Sequence, residues 1–330
     1  MALSIIKPEK LKTGDSIGVV APAASASLIS KRNLNLAKRK LESLGLNVVY
    51  GKNIFKHHKF SIDGIKERIN DLHSMFSSGK IKGVMAVIGG YSSNELLPYL
   101  NYELIRKNPK IFIGFSDITA LQNAIFKMTG LITFSGPCFA NFAQTKPPFD
   151  FEEEYFRKVL IDKKTDIEIK PSRVWADDKW WKTPNKPRKL NKNSGWRIIK
   201  KGAAKGTIVG GNLSTFLLLF NTPYAPDLKN KILFIEEDPC MNAGMIERMF
   251  TQLSQSKDFK KIKGLVVGRF GSESGLSAKN EITLLKAITS EINVPVVSNV
   301  DFGHTNPMIT FPIGRECEIN TAENLIKLKY

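Results

Sequence analysis

Ile111-Phe112-Ile113-Gly114-Phe115-Ser116-Asp117-Ile118-Thr119 is the stretch that decides how this chain is read. Ile111, Phe112 and Ile113 are β-prone apolar residues and predict a short buried strand. Gly114 supplies backbone freedom just before a turn. From Ile118 the apolar residues recur at Leu121, Ile125 and Met128, which is helical spacing, and Gly130 closes that helix. A serine on such a strand–turn–helix corner is held out of the sheet with its Oγ exposed. The first N–H groups of the helix, which have no internal partner, lie beside it. The form is that of a nucleophile elbow lacking the second glycine of G-x-S-x-G. A serine here can also serve only as a helix cap, and this stretch by itself leaves both readings open.

The residues before it repeat the same alternation. Ser16–Pro22 reads as a buried strand, and helical periodicity follows through Leu34, Ala37, Leu41 and Leu44 to Gly45. Val48–Tyr50 is a second strand, Ile65, Ile69, Leu72 and Met75 mark a helix, and Gly83–Ile88 is a third strand. Strands alternating with helices at this spacing predict parallel βαβ units. Ligands bind beyond the carboxyl ends of such strands. Gly89-Gly90 and Ser116 both sit there, so two loops point at one crevice. The paired glycines do not make G-x-G-x-x-G or a phosphate loop. They suit a backbone that approaches a ligand and presents the Gly90 N–H, which with the Asp117 N–H would form an oxyanion hole. An ordinary tight turn is the alternative.

The second half is also α/β. A strand at Thr207–Val209 meets Gly210-Gly211-Asn212 and a helix through Leu213, Phe216, Leu217 and Phe220. Lys231–Glu237 is an apolar strand ending in two carboxylates. A helix through Met245, Ile246, Met249 and Leu253 follows, then the strand Gly264–Gly268, a helix over Ile282–Ile292 and the strand Val294–Val300. That last strand leads into Asp301-Phe302-Gly303-His304-Thr305. The expected division is a nucleophile domain over 1–165, a tryptophan-rich loop over 166–205 and a second domain over 206–330.

The chain has four histidines. His57 and His58 lie in a lysine-rich turn and His73 on a predicted helix. Only His304 follows a buried strand in a glycine-containing loop. Ser116, His304 and a glutamate from Glu236-Glu237 together supply nucleophile, base and orienter at strand ends. The order Ser, Glu, His is that of α/β-hydrolases. Strand alternation puts Glu236 and Glu237 on opposite faces and does not choose between them.

Composition bounds the rest. A length of 330 residues suits two domains. There is no apolar run long enough to span a bilayer, and Met1–Lys10 lacks the apolar region of a secretory leader. Three scattered cysteines, Cys138, Cys240 and Cys317, suit a reducing cytoplasm and form no zinc pattern. The net charge of +18 would fit a nucleic-acid binder. The lysines are instead dispersed singly or in pairs, with no nucleic-acid-binding motif, so a solvated surface is expected rather than a nucleic-acid partner. Trp175, Trp180, Trp181 and Trp196 fall in one polar segment without periodicity. They are expected either to anchor a long loop or to stack on a planar ligand, and not to fill a core.

Gly89–Leu100 (GGYSSNELLPYL) and Ile111–Leu121 resemble the N-terminal domain of the LD-carboxypeptidase family of serine peptidases. Val209–Ser214 (VGGNLS), Leu233–Glu237 (LFIEE) and Phe302–Thr305 (FGHT) resemble its C-terminal domain. The resemblance covers nearly the whole chain. It implies an N-terminal Rossmann-like sheet, a C-terminal swivelling α/β domain and an active site in the cleft between them. It also implies a triad of Ser116, His304 and Glu236, the glutamate directly after Leu-Phe-Ile, with backbone oxyanion donors at Gly90 and Asp117. No metal or organic cofactor is implied, and a cytoplasmic homodimer is. The tryptophan segment is similar to that of the microcin C self-immunity branch, which cuts peptidyl-aspartate from its nucleotide and stacks an indole on the adenine. Trp180 or Trp181 is the expected contact, with Asn212 helping to hold the substrate. The murein-recycling branch, which removes a terminal D-alanine from muropeptides, is the alternative. A non-catalytic protein binding nucleotides or muropeptides is the reading from another class.

Overall fold

The computed structural model describes residues 4–56, 61–144, 149–182 and 186–329. His57 and His58 lie outside them. The described residues hold sixteen strands. The first five are β1 (Ser16–Val20), β2 (Asn47–Tyr50), β3 (Ile81–Ala86), β4 (Ile111–Gly114) and β5 (Thr133–Ser135). The middle region holds β6 (Asp166–Glu168), β7 (Val174–Trp175), β8 (Asn191–Lys192) and β9 (Arg197–Lys200). Then come β10 (Ala203–Asn212), β11 (Lys231–Glu236), β12 (Gly264–Gly268), β13 (Val296–Val300), β14 (Phe311–Ile313), β15 (Glu316–Asn320) and β16 (Leu325–Lys329).

Two mixed sheets result, each with a parallel centre. The first has the order β14-β5-β4-β3-β1-β2, in which β1 to β5 run parallel and β14 is antiparallel to β5. Since β3 and β4 are neighbours, the loops carrying Gly89-Gly90 and Ser116 leave the same edge side by side. The second has the order β6-β16-β15-β10-β11-β12-β13-β9, with β10 to β13 parallel. The central parallel strands, such as β4 and β12, are buried on both faces, which is why they read as continuous apolar runs, while β2 at the sheet edge is partly exposed.

The expected division along the chain is less sharp in space. The segment over 166–205 contributes β6, β9 and the start of β10 to the second sheet, and β14 from the far end joins the first. The cores also meet. Phe234 and Phe302 from the second half pack with Phe311, at ring-centroid distances of 4.8 to 5.5 Å. Such dry contact ties the two sheets together by burial as well as by chain connectivity.

The tryptophans anchor their segment, one of the two uses expected of them. Trp180 and Trp196 are half-buried against the core, and Trp175 lies half-buried under the Arg269 guanidinium at 5.2 Å. The loop they sit in folds back through the β7–β8 pair, which turns an aperiodic polar sequence into a packed layer. Trp181 is the exposed one, edge-on to Trp180.

Candidate active site

Ser116 begins a single 3-10 turn between β4 and the helix Thr119–Thr129. Its φ of 63° is in the left-handed region, a conformation that costs a non-glycine residue of the order of 1–3 kcal/mol and is found where function requires it. Its side chain caps no helix N–H, so the capping alternative falls away. The helix runs as expected to Gly130, which adopts φ 77° at the C-terminus.

Ser116 Oγ lies 3.0 Å from His304 Nε2, and His304 Nδ1 lies 2.7 Å from Glu236 Oε2. The two sheets thus each supply part of one hydrogen-bonded relay. Glu236 ends β11 and His304 follows β13, while β12 lies between them. Glu236 reaches His304 only because the intervening positions are glycines. A Cβ on Gly268 would come within 2.7 Å of Glu236 Cβ, and one on Gly303, at φ 101°, would overlap the Glu236 carboxylate. The Phe115 ring, 5.1 Å from the imidazole, covers the other side.

Charge on the imidazole is opposed most strongly by burial. The attraction of Glu236, through charge and hydrogen bond, together with Asp238 and Glu237, outweighs this and raises His304 to about 9. Glu236, and not Glu237, is the carboxylate bonded to His304. Glu237, equally buried, accepts from Asn212 Nδ2 at 2.9 Å, the Ser214 N–H at 2.7 Å and the Asp238 N–H at 2.8 Å. Burial first, then the neighbouring Glu236 charge, holds Glu237 above the usual carboxylate range.

Asn212 is buried, and its side chain serves the protein itself. Its Oδ1 accepts the Thr215 N–H at 3.1 Å, capping the short helix Leu213–Leu217, while its amide holds Glu237. Gly89, rather than Gly90, packs against Ser116: a Cβ on Gly89 would come within 2.9 Å of Ser116 Cβ, whereas one on Gly90 would meet Ala23 and Ala24. Neither the Gly90 nor the Asp117 N–H donates to an acceptor among the described residues. The Asp117 carboxylate accepts the Ser93 N–H at 2.8 Å, tying the loop after Gly89-Gly90 to the nucleophile turn. His73 accepts the Asn101 N–H at 2.9 Å, a structural use away from the triad. Among the described residues no group of His, Cys, Asp and Glu could hold a metal ion.

Three features escaped the sequence reading. Thr119 Oγ1 accepts the Asn212 N–H at 2.9 Å, and Asn123 both donates to Gly210 O at 2.8 Å and accepts from Gly210 N at 3.1 Å. These bonds clamp the helix behind Ser116 to the end of β10. The available signal was two polar residues four apart on an otherwise apolar helix face. The second is Asp238, whose Oδ2 lies 3.3 Å from His304 Nε2. The third is the attachment of the tryptophan segment. Ala176 and Asn306 exchange backbone hydrogen bonds at 2.7 and 2.8 Å, two residues beyond His304. Arg188 joins Asp178, Gln144 and Asn306 in one network.

Models of the LD-carboxypeptidase N-terminal domain and C-terminal domain match residues 17–136 and 205–319. The chain belongs to the LD-carboxypeptidase family. Its carboxypeptidase class and two-domain α/β architecture follow from that membership and from solved relatives. An MccF-like protein from Bacillus anthracis is 39% identical with a TM-score of 0.94, covering 98% of this chain and 99% of that one. The microcin C7 self-immunity protein MccF of Escherichia coli is 32% identical, over 94% of this chain and 92% of its own. MccF structures superpose with a TM-score of 0.90, among them a complex with aspartyl sulfamoyl adenosine and a tryptophan-to-phenylalanine mutant in complex with adenosine monophosphate. A murein tetrapeptide carboxypeptidase of Pseudomonas aeruginosa is 24% identical, over 90% of this chain and 92% of its own.

Proposed function

We propose that this LD-carboxypeptidase family member is a cytoplasmic serine hydrolase that cleaves the acyl bond joining an aspartyl-type residue to a nucleotide moiety. The observation that carries the chemistry is the continuous relay Ser116–His304–Glu236. Neutral His304 takes the Ser116 proton at Nε2 while Glu236 holds Nδ1–H and stabilises the imidazolium. Ser116 attacks the acyl carbon, and the Gly90 and Asp117 N–H groups receive the oxyanion. His304 returns the proton to the leaving group, and water then resolves the acyl-enzyme with His304 again as base.

The nucleotide side of the reading rests on the likeness to MccF and on the tryptophan segment pinned beside His304 at Ala176–Asn306. Exposed Trp181, with Trp180 packed against its edge, is the platform we assign to the base. Asn212 acts in this scheme by holding Glu237 and the β10 terminus, behind the substrate. The cysteines among the described residues are all unpaired, in keeping with a reducing compartment, and the homodimer follows the family resemblance.

The second reading, removal of a terminal D-alanine from a muropeptide, is favoured by the relation to the Pseudomonas enzyme and uses the same triad. Incubation of the pure protein with a muramoyl tetrapeptide and with aspartyl sulfamoyl adenosine, followed by mass spectrometry, separates them. Release of sulfamoyl adenosine is the expected result. Release of D-alanine alone transfers the chain to the murein branch.

A further inference from the structure

Asp238 directly follows the orienting strand and its neighbour Glu237. Its Oδ1 accepts the Cys240 N–H at 2.7 Å, which fixes the carboxylate in a tight turn. Its Oδ2 faces His304 Nε2 at 3.3 Å, the same nitrogen that meets Ser116 Oγ at 3.0 Å. A neutral imidazole poised as base turns its Nε2 lone pair toward the serine and offers the Asp238 carboxylate only repulsion. An imidazolium satisfies everything instead, with Nδ1–H on Glu236 and Nε2–H on Asp238. The unliganded site is thus built to hold His304 in the form that cannot accept the Ser116 proton.

The groups around the imidazole agree. Glu236 comes from β11, Glu237 and Asp238 follow it, and Ser116 and the Phe115 ring face it from the first domain. The neighbouring cation beyond Asp238 is Lys179, which already pairs with Glu273 at 2.7 Å. On a chain of net charge +18, the immediate surroundings of the base are acidic. Asp238 is also open, with its side chain 33% exposed against 3% for Glu236. Its Oδ2 stands within two hydrogen-bond lengths of Ser116 Oγ. That reach matches a nitrogen on the carbon next to the attacked carbonyl.

We infer that Asp238 is a specificity-determining residue that binds a free α-ammonium adjacent to the scissile carbonyl and, in doing so, releases His304 to act as base. This rests on the Ser116–His304–Glu236 reading above and narrows its substrate class to aminoacyl conjugates. An acyl group whose α-nitrogen is an amide, as in a peptidyl conjugate or a muropeptide, carries no charge at that point and leaves Asp238 on the imidazole. Binding selects the substrate and switches on the base through one carboxylate.

The test uses the intact protein and Asp238→Asn, which keeps the acceptor for the Cys240 N–H. Two readouts are taken, with folding checked by circular dichroism. The first is the pH dependence of Ser116 labelling by a fluorophosphonate, which needs a neutral His304 but no substrate ammonium. In the variant the rise in labelling should move to lower pH, with labelling at pH 7 about tenfold faster for each unit of displacement. The second is kcat/KM for aspartyl sulfamoyl adenosine and for its N-acetyl derivative. The wild type should favour the free amine by about 10- to 100-fold, the range of a charge-assisted hydrogen bond, and the variant should treat the two alike. A wild-type protein never labelled at any pH would refute the triad itself. Normal wild-type labelling with an unmoved profile in Asp238→Asn refutes only the role of Asp238. Wild-type turnover that ignores N-acetylation, or of neither compound, overturns the ammonium assignment.

Discussion

Glu236→Gln and Glu237→Gln differ by one position in the chain, and the structure gives them opposite consequences. Glu236 holds His304 Nδ1 at 2.7 Å and is the foremost of the carboxylates that raise its imidazole to about 9. Glu236→Gln leaves a neutral amide there. The imidazolium formed in each transition state loses its counter-charge, and the tautomer is no longer enforced, a change that costs on the order of 10²–10⁴ in rate. The imidazole also becomes less basic. At neutral pH more of it is then in the working form, which masks part of the loss. The measurement is therefore kcat/KM across pH, which reports the free enzyme's base. With a substrate whose α-nitrogen is acylated and carries no titrating amine, the wild-type profile should climb to a plateau above about pH 9, set by the raised His304. Glu236→Gln should show a plateau lower by that factor of ~10²–10⁴ and a midpoint displaced to lower pH. Glu237→Gln replaces a carboxylate whose Oε1 accepts from Asn212 Nδ2 and the Asp238 N–H, and whose Oε2 accepts from the Ser214 N–H, with an amide that brings a donor of its own. It should lose about 1–3 kcal/mol of stability, the usual cost of an unsatisfied buried donor, and retain most of its plateau rate. A larger plateau loss in Glu237→Gln, or an unmoved midpoint in Glu236→Gln, would refute the assignment.

Ser116→Gly should abolish most turnover, by ~10⁴–10⁶, while raising the melting temperature, since glycine relieves the left-handed φ of 63°; calorimetry beside a hydrolysis assay checks both. Gly303→Ala should be inactive because its Cβ overlaps the Glu236 carboxylate, and fluorophosphonate labelling should fall with it. Replacing Trp180 and Trp181 together by Ala should weaken binding of adenylate substrates by ~1–3 kcal/mol for each stacked contact and leave muropeptide binding nearly unchanged, with equal losses on both refuting a base platform. Burial raises Glu152 to about 8, well above a free carboxylate, so its contribution to stability is present at low pH and is lost as pH rises through about 8. The raised His304 acts in the same direction toward 9. Denaturation of Glu152→Gln should show a flatter fall in stability across the lower part of that range.

The strands and helices of both halves were legible because parallel strands leave continuous apolar runs and helices keep their period. The triad was legible for a related reason, since each member ends or follows such a run. What could not be read is what depends on contacts between distant segments. Glu236 and Glu237 are both buried, so burial does not distinguish them. The choice is made by two glycines, Gly268 and Gly303, that leave a passage for one carboxylate and not the other. The half-burial of Trp180 and Trp196 depends on the β7–β8 pair and on Asn306, none of which has a local signature. β14 reads as part of the second half, yet it pairs with β5 of the first sheet.

Those long-range pairings also bear on how a triad shared by two domains keeps its geometry. A swivelling second domain implies that the Ser116–His304 distance varies with domain position. The contacts beside the site oppose a large swing. Asn123 and Thr119 bond to the β10 terminus directly behind Ser116, and a Cβ on Gly211 would overlap Thr119, so the two backbones meet as closely as glycine permits. β14 crosses from one sheet to the other, and the Phe234–Phe302–Phe311 cluster fills the space between. A closed-packed junction of this kind changes between discrete arrangements rather than by continuous deformation. Outside that junction stand the loops around the cleft: the tryptophan segment, the Asp238 turn and the glycine pair after β3. Substrate selection belongs to those loops, while the relay itself is fixed by the clamp behind them.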